Sequence, residues 1–128
     1  MEKKKILVVD DHDGILEVVK MTLEMAGYEV SVGGTRCECF RRIENNLPDL
    51  ILLDVLLSGE DGRAICQRLK SDEKTRHIPV ILLSAHAGLR DAASGCGAEG
   101  FLAKPFRVTE LREIVKKYLS FSSTIPHF

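Results

Sequence analysis

The chain carries the run Leu50-Ile51-Leu52-Leu53-Asp54, in which four apolar residues follow one another and lead to a carboxylate. A short apolar run bounded by turn residues is typical of a strand buried on both faces. Turn residues stand on either side, with Pro48-Asp49 before the run and Ser58-Gly59 after it. Such strands belong to parallel sheets covered by helices, where ligands bind beyond the carboxyl ends of the strands. Asp54 is therefore predicted at a ligand edge, although one aspartate there can also be a helix cap or a loop hydrogen-bonding residue.

Length and composition indicate a single cytoplasmic domain. The chain has 128 residues, 45% of them apolar and 29% charged, with a net charge of -1, which gives no reason to expect nucleic acid or a membrane surface as a partner. The apolar run after Lys3-Lys4-Lys5 stops at Asp10-Asp11, so no secretory signal is predicted. The cysteines have no zinc-site spacing and are predicted as reduced thiols: Cys37, Cys39, Cys66 and Cys96. The expected domain covers residues 1–119, followed by a frayed tail over 120–128.

Strands and helices alternate along the whole domain. Besides Leu50–Asp54, strands are predicted at Lys5–Val9, Tyr28–Val32, Ile78–Ser84 and Gly100–Ala103. Helices are expected from an Asp13 cap to Ala26, after a Thr35 cap, over Gly62–Ser71, weakly over the glycine-rich segment Gly88–Gly97, and over Thr109–Leu119. Five β-α repeats predict an α/β fold, a doubly wound five-stranded parallel sheet with helices on both faces.

Four of these strands end in a polar group, namely Asp10-Asp11, Asp54, Ser84 and Lys104. Because the carboxyl ends of parallel strands share one edge, three carboxylates, a hydroxyl and an ammonium are expected to converge there. Clustered carboxylates raise one another's pKa, and a hard cation such as Mg²⁺ removes the conflict. A lysine and a hydroxyl beside that cation can hold a phosphoryl group, where catalysis is mostly positioning and charge neutralisation.

The chain resembles the receiver domain of two-component response regulators over about Lys5 to Leu119. The resemblance rests on four motifs in order: Val8-Val9-Asp10-Asp11, Asp49 to Asp54, Pro79 to Ala85, and Gly97 to Phe106. It implies a flavodoxin-like fold with strand order 2-1-3-4-5. It also implies phosphoryl transfer from a phosphohistidine of a sensor histidine kinase or a histidine phosphotransfer domain, followed by autodephosphorylation and no external turnover substrate.

Matched residue by residue, the resemblance makes Asp54 the phosphoacceptor. Asp11 would bind Mg²⁺ directly, with Mn²⁺ as a substitute, and Asp10 would bind it through water. The backbone carbonyl of Leu56 would be the third protein ligand beside Asp11 and Asp54.

The same resemblance assigns a phosphoryl contact and a switch. Lys104 would pair with the phosphoryl group, and the Lys104-Pro105 bond would be cis. Ser84 stands at the switch hydroxyl and Phe101 at the switch aromatic; the alternative for Phe101 is an ordinary core aromatic.

Two departures from the family pattern lie next to the acceptor. The family often has Met-Pro where this chain has Leu57-Ser58, and loss of the proline is expected to loosen the loop Val55–Asp61. Asp61-Gly62 match the family. Leu56 and His86 flank the site and could tune hydrolysis; His86 could contact the phosphoryl group or be an idle, solvated side chain.

Output is expected through protein contacts on the family's helix 4–strand 5–helix 5 face, here Gly88–Gly97, Gly100–Ala103 and Thr109–Leu119, with a homodimer as one option. The sequence leaves open a stand-alone receiver or part of a longer regulator or hybrid kinase. Two alternatives remain: a pseudo-receiver scaffold that works without phosphorylation, and a small phosphatase of the haloacid dehalogenase type, suggested by Asp11-x-Asp13-Gly14.

Overall fold

A computed structural model of the chain describes residues 3–85 and 95–124. Its strands are β1 (Lys5–Val9), β2 (Glu29–Gly33), β3 (Leu50–Asp54), β4 (Leu56–Leu57), β5 (Glu60–Asp61), β6 (Val80–Ser84) and β7 (Gly100–Ala103). Five of them form one parallel sheet in the order β2-β1-β3-β6-β7. Counted within that sheet the order is 2-1-3-4-5, so the predicted doubly wound fold is confirmed.

Four described helices cover the two faces of the sheet: α1 (Asp13–Met25), α2 (Arg36–Asn45), α3 (Gly62–Ser71) and α4 (Val108–Thr124). The α4 helix continues past Leu119, so the prediction of a frayed tail from Ser120 was wrong over residues 120–124. The weak helix predicted over Gly88–Gly97 lies mostly outside the described residues, and His86 lies outside them as well. Within the described ranges, no helix combines the length and the apolar character needed to span a bilayer.

The core consists of two layers, one on each face of the sheet, because side chains alternate along a strand. Ile51 and Leu53 pack with α2 and α3, whereas Leu50 and Leu52 pack with α1 and α4. All four side chains are fully buried, and burying each contributes about 1.5–3 kcal/mol. The central strand therefore holds both layers together and carries Asp54 to the edge.

The start of α1 differs from the predicted Asp13 cap. His12 is the N-cap residue and its side chain makes no capping hydrogen bond. The Asp10 carboxylate accepts the His12 backbone N–H at 2.9 Å, a local Asx turn that bends the chain one residue before the predicted cap. The His12 ring is thereby left to interact elsewhere.

The segment after Asp54 is a two-stranded hairpin rather than the loosened loop that the missing proline suggested. Leu56 pairs with Asp61 and Leu57 with Glu60. Ser58 and Gly59 form the turn with φ of 37° and 88°, the left-handed geometry of a tight two-residue hairpin loop. Leu57 is 1% exposed, so its burial anchors the hairpin to the domain.

Gly62 joins this hairpin to α3 at a point with no room for a side chain. Its N–H donates to the Val55 carbonyl at 2.6 Å, and a β-carbon built on Gly62 would overlap the backbone carbonyl of Asp54. The backbone of α3 is therefore pressed against the backbone of Asp54.

We expect Gly62→Ala to lower the free energy of unfolding by about 1–3 kcal/mol, because the new methyl must displace the Asp54 backbone. Urea denaturation followed by circular dichroism measures the change. Gly14→Ala is the matched control: a β-carbon there meets nothing within 4 Å, so this helical site should gain up to about 1 kcal/mol. Equal effects of the two substitutions would contradict the close approach at Gly62.

Candidate functional site

The carboxyl edge of the sheet gathers the predicted polar residues. Asp10 follows β1 and Asp54 ends β3, and the register that pairs Val9 with Leu53 continues by one residue to set the two aspartates side by side. Oxygens of Asp10, Asp11 and Asp54 and a nitrogen of His12 all lie within 4.8 Å of one another. Together with Ser58 and Lys104 these residues form what we call the acidic pocket.

Lys104 supplies the positive charge of the acidic pocket. Its Nζ donates to Asp10 Oδ2 at 2.6 Å and lies 3.4 Å from Asp54 Oδ2. The Lys104 side chain is 12% exposed, and its backbone N–H donates to the Ser84 carbonyl at 2.7 Å. The Lys104-Pro105 bond is cis, as the resemblance implied.

One ammonium does not balance three carboxylates. Two unit charges 4–5 Å apart repel by about 3–4 kcal/mol at the effective dielectric found near protein surfaces. Burial raises the pKa of Asp54 and the neighbouring Asp10 charge raises it further, while Lys104 and the Leu56 N–H oppose the shift without cancelling it. The pocket therefore favours binding of a proton or another cation by the Asp54 carboxylate.

The pKa of Asp11 is shifted in the opposite direction, below its usual value. Burial acts to raise its pKa, but hydrogen bonds from the Ser58 hydroxyl and N–H, with the nearby His12, outweigh burial and lower it. Both Ser58 groups donate to Asp11 Oδ2 at 2.9 Å. A proline at residue 58 could provide neither donor, so the departure from the family pattern adds two contacts to the acidic pocket.

The donor set fits a hard divalent cation. Carboxylate oxygens are the ligands that Mg²⁺ prefers, and Asp11 Oδ1 is a buried atom without a hydrogen-bond partner among the described residues. That oxygen is available to an ion, whereas both oxygens of Asp10 already accept hydrogen bonds from Lys104 and His12.

The family model for the response regulator receiver domain matches residues 6–116. The chain belongs to this family. It is 40% identical over 126 residues to the DNA-binding dual master transcriptional regulator RpaA of Synechocystis sp., a match that covers 95% of this chain and 52% of RpaA. The chain thus spans about half the length of that relative.

Two solved structures show the same receiver fold in different settings. The signal receiver domain of a signal transduction histidine kinase from Syntrophus aciditrophicus is 38% identical, with a TM-score of 0.84 over 92% of this chain and 91% of that one. The chemotaxis response regulator CheY4 of Vibrio cholerae is 26% identical, with a TM-score of 0.86 over 92% of this chain and 100% of that one. The protein is a receiver domain of two-component signalling.

Not every predicted site residue of the receiver lies in the acidic pocket. Ser84 ends β6, is 1% exposed and meets Lys104 through its carbonyl. Phe101 lies on β7, pairs with Leu82 and packs partly buried against the α2–α3 layer. Leu56 is 56% exposed, and its N–H donates to Asp54 Oδ1 at 3.3 Å.

Sequence reasoning missed His12 and Ser58. His12 Nδ1 lies 3.1 Å from both Asp10 Oδ1 and Asp11 Oδ1. Its position directly after two aspartates was a signal that could have suggested a role in the receiver's site. Ser58 had no such signal, because its contact joins residues 47 positions apart.

We expect Asp54→Asn to raise the free energy of unfolding in the absence of divalent cations, by roughly 1 kcal/mol. The amide keeps the shape of the side chain and removes a buried charge that faces Asp10. Asp61→Asn is the matched control with the opposite sign, because the hydrogen bonds from Arg63 lower the pKa of Asp61 and loss of that exposed pair should slightly lower the free energy of unfolding. Urea titrations at neutral pH measure both.

The buried charge of Asp54 also predicts that the free energy of unfolding depends on pH. The pKa of Asp54 is raised above 3.8, so between 3.8 and the raised value the folded state binds more protons than the unfolded state. Stability from this group therefore increases as pH falls through that window. The increase should be smaller in Asp54→Asn, and an identical pH profile for both proteins would contradict the assignment.

Proposed function

We propose that the domain is a phosphorylation switch in which Asp54 accepts a phosphoryl group from a phosphohistidine of a sensor histidine kinase or histidine phosphotransfer domain. The observation that carries the proposal is the gathering of a buried strand-end carboxylate with Asp10, Asp11 and the Lys104 ammonium. The acceptor oxygen of Asp54 forms the new P–O bond while the P–N bond to the donor imidazole breaks. Water later cleaves the acyl phosphate, so the domain modifies itself and has no separate turnover substrate.

The residues of the acidic pocket have different roles in the proposed phosphoryl transfer. Lys104 Nζ lies within reach of both Asp10 and Asp54 and can move from the carboxylates to a phosphoryl oxygen. Asp11, Asp54 and the Leu56 carbonyl would hold Mg²⁺, and Asp10, whose own oxygens already accept hydrogen bonds, would hold it through water. The ion, for which Mn²⁺ is a substitute, would supply charge neutralisation at the oxygens of the phosphoryl group.

The donor docks beside the pocket, in an apolar groove of about 390 Å³. It runs between the start of α1 and the turn after β7, lined by Gly14, Ile15, Val18, Val19, Ala85, Lys104, Pro105 and Phe106. Lys104 belongs to both the groove and the pocket, so a partner helix seated there brings its phosphohistidine to the acceptor. Val18, Met21 and Met25 continue the apolar surface along α1, 54%, 63% and 83% exposed.

Phosphorylation changes the face of the domain formed by β7 and α4. Ser84 moves toward the new phosphoryl group and Phe101 fills the space it leaves, which changes the surface around β7 and α4. An output partner, an attached effector domain or a second copy of the chain binds there.

All four cysteines are free thiols, which supports a reducing cytoplasmic setting.

The direct test is phosphorylation by a small donor such as acetyl phosphate with Mg²⁺, read by intact mass. We expect one phosphoryl group on the wild-type protein, none on Asp54→Ala, and an unchanged gain on Asp61→Ala, an exposed aspartate of the nearby hairpin. A gain that survives Asp54→Ala would overturn the assignment. No gain, together with no Mg²⁺ binding at millimolar concentration, would favour the pseudo-receiver scaffold.

Donor docking has its own test. Val18→Glu places a charge in the groove, so phosphoryl transfer from an autophosphorylated kinase should fall more than labelling by acetyl phosphate. The kinase is the one that labels the wild-type protein fastest in a purified panel. Glu17→Gln, on the same helix turn, is the control. An equal loss with both donors would remove the groove from the proposal.

A further inference from the structure

Ser58 is a residue of the acidic pocket to which the proposed function gives no role. It lies in the turn of the β4–β5 hairpin, and its backbone N–H and its hydroxyl both donate to Asp11 Oδ2 at 2.9 Å. Because two donors from one residue meet one oxygen, rotation of the Asp11 carboxylate would break both hydrogen bonds together. The carboxylate is therefore held in one orientation before any ion binds.

The other oxygen of the same carboxylate has no hydrogen bond. Asp11 Oδ1 is a buried atom without a hydrogen-bond partner among the described residues, and the nearby His12 ring, 3.1 Å away, is 67% exposed. Buried polar atoms in folded proteins are ordinarily paired with protein, water or an ion. Ser58 thus occupies one oxygen of Asp11 and leaves the unpaired one for a cation.

Ser58 also joins the two parts of the chain that supply the expected metal ligands. Asp11 follows β1, whereas Asp54 ends β3 and Leu56 begins the hairpin. The Leu56 N–H donates to Asp54 Oδ1 at 3.3 Å, which ties the start of the hairpin to the acceptor. Ser58 ties the turn of the same hairpin to Asp11. Its contact therefore restrains the position of the Asp11 carboxylate relative to the Leu56 backbone.

The backbone of the turn makes this contact possible. Ser58 has a φ of 37°, in the left-handed region, which a proline with its φ fixed at about −65° cannot adopt. A proline would also lack both the N–H and the hydroxyl that donate to Asp11. The departure from the family pattern at this position and the contact to the metal-ligating side of the pocket are thus one structural feature.

We infer that Ser58 is a positioning residue for the divalent ion of the acidic pocket, because it holds Asp11 Oδ2 so that Oδ1 faces the ion. A carboxylate that is already oriented loses less conformational freedom when it binds, which strengthens binding. Hydrogen-bond partners of metal-ligating carboxylates raise metal affinity for this reason. The inference rests on the proposed function, since the ion is the one that assists phosphoryl transfer to Asp54, and it names a residue that sets the affinity for that ion.

The first test is calorimetric titration of Mg²⁺ into the wild-type protein, Ser58→Ala, Ser58→Gly and Ser31→Ala. Both substitutions at residue 58 remove the hydroxyl and keep the backbone N–H, and glycine adopts the left-handed turn without strain. Ser31 is an exposed serine on β2 and provides the matched control. We expect both Ser58 variants to bind Mg²⁺ roughly tenfold more weakly than the wild type, and Ser31→Ala to bind it as the wild type does.

Labelling by acetyl phosphate gives a second readout that a purely structural role would not produce. The Mg²⁺ concentration at which labelling of Asp54 is half-maximal should rise in both Ser58 variants by the same factor as the Kd. The labelling rate at saturating Mg²⁺ should change far less, because the ion, once bound, contacts the same ligands. A lower saturating rate without a change in the half-maximal Mg²⁺ concentration would contradict the inference.

Two further results of the titrations would overturn it. Wild-type Mg²⁺ affinity in Ser58→Gly would show that the hydroxyl has no part in binding, whatever the result for Ser58→Ala. Tighter Mg²⁺ binding by both variants would show that the hydrogen bonds from Ser58 compete with the ion for the Asp11 carboxylate.

These outcomes separate the inference from the proposed function. If the wild-type protein is phosphorylated on Asp54 and the Ser58 variants bind Mg²⁺ as it does, only the role of Ser58 fails. If the wild-type protein binds Mg²⁺ but accepts no phosphoryl group, the proposed function fails and calorimetry still decides the role of Ser58. If it binds no Mg²⁺ at millimolar concentration, the metal site and the inference fail together.

Discussion

Repulsion between the carboxylates of Asp10, Asp11 and Asp54 is the constraint to which the rest of the site responds. The parallel sheet forces the first and third of these together, because β1 and β3 are neighbours in register. Lys104, in the turn after β7, neutralises part of this negative charge through its contacts with Asp10 and Asp54. The remainder makes the pocket a place where a cation lowers the free energy of the folded state. A receiver domain that keeps mutually repelling carboxylates at the carboxyl edge of its sheet retains the chemistry of a phosphoacceptor, and its folded state is less stable for that reason.

The hairpin after Asp54 shows how a departure from a family pattern can be compensated. Ser58 replaces a proline that would stiffen the segment through its fixed φ. In this chain the segment is ordered by other means, namely β4–β5 pairing, a left-handed two-residue turn and two hydrogen bonds from Ser58 to Asp11. The exchange removes a covalent restraint and adds a polar link between the hairpin and Asp11 of the pocket.

Lys104 connects the acidic pocket with the groove beside α1. Its Nζ lies 3.4 Å from Asp54 Oδ2, and the residue also lines the groove. Its backbone is tied to Ser84 at the end of β6, and β6 pairs with the strand that carries Phe101. A change at Asp54 therefore has a short covalent and hydrogen-bonded path to the opposite side of the sheet.

The five apolar runs and the residues that end them were sufficient to predict the strands, their parallel arrangement and the meeting of Asp10, Asp11, Asp54 and Lys104. Strand periodicity and the shared carboxyl edge are properties of local sequence, so they can be recognised without coordinates. The hairpin in place of a loose loop could not be predicted, because it depends on contacts made after the chain has folded. The start of α1 at His12 and the helix past Leu119 were also not predicted. Ser58 reaches Asp11 only when residues 47 positions apart are brought together. The sequence by itself therefore determined which groups arrive at the ligand edge. Only the tertiary structure decided how they are paired, since hydrogen bonds and burial depend on distances that local pattern does not contain.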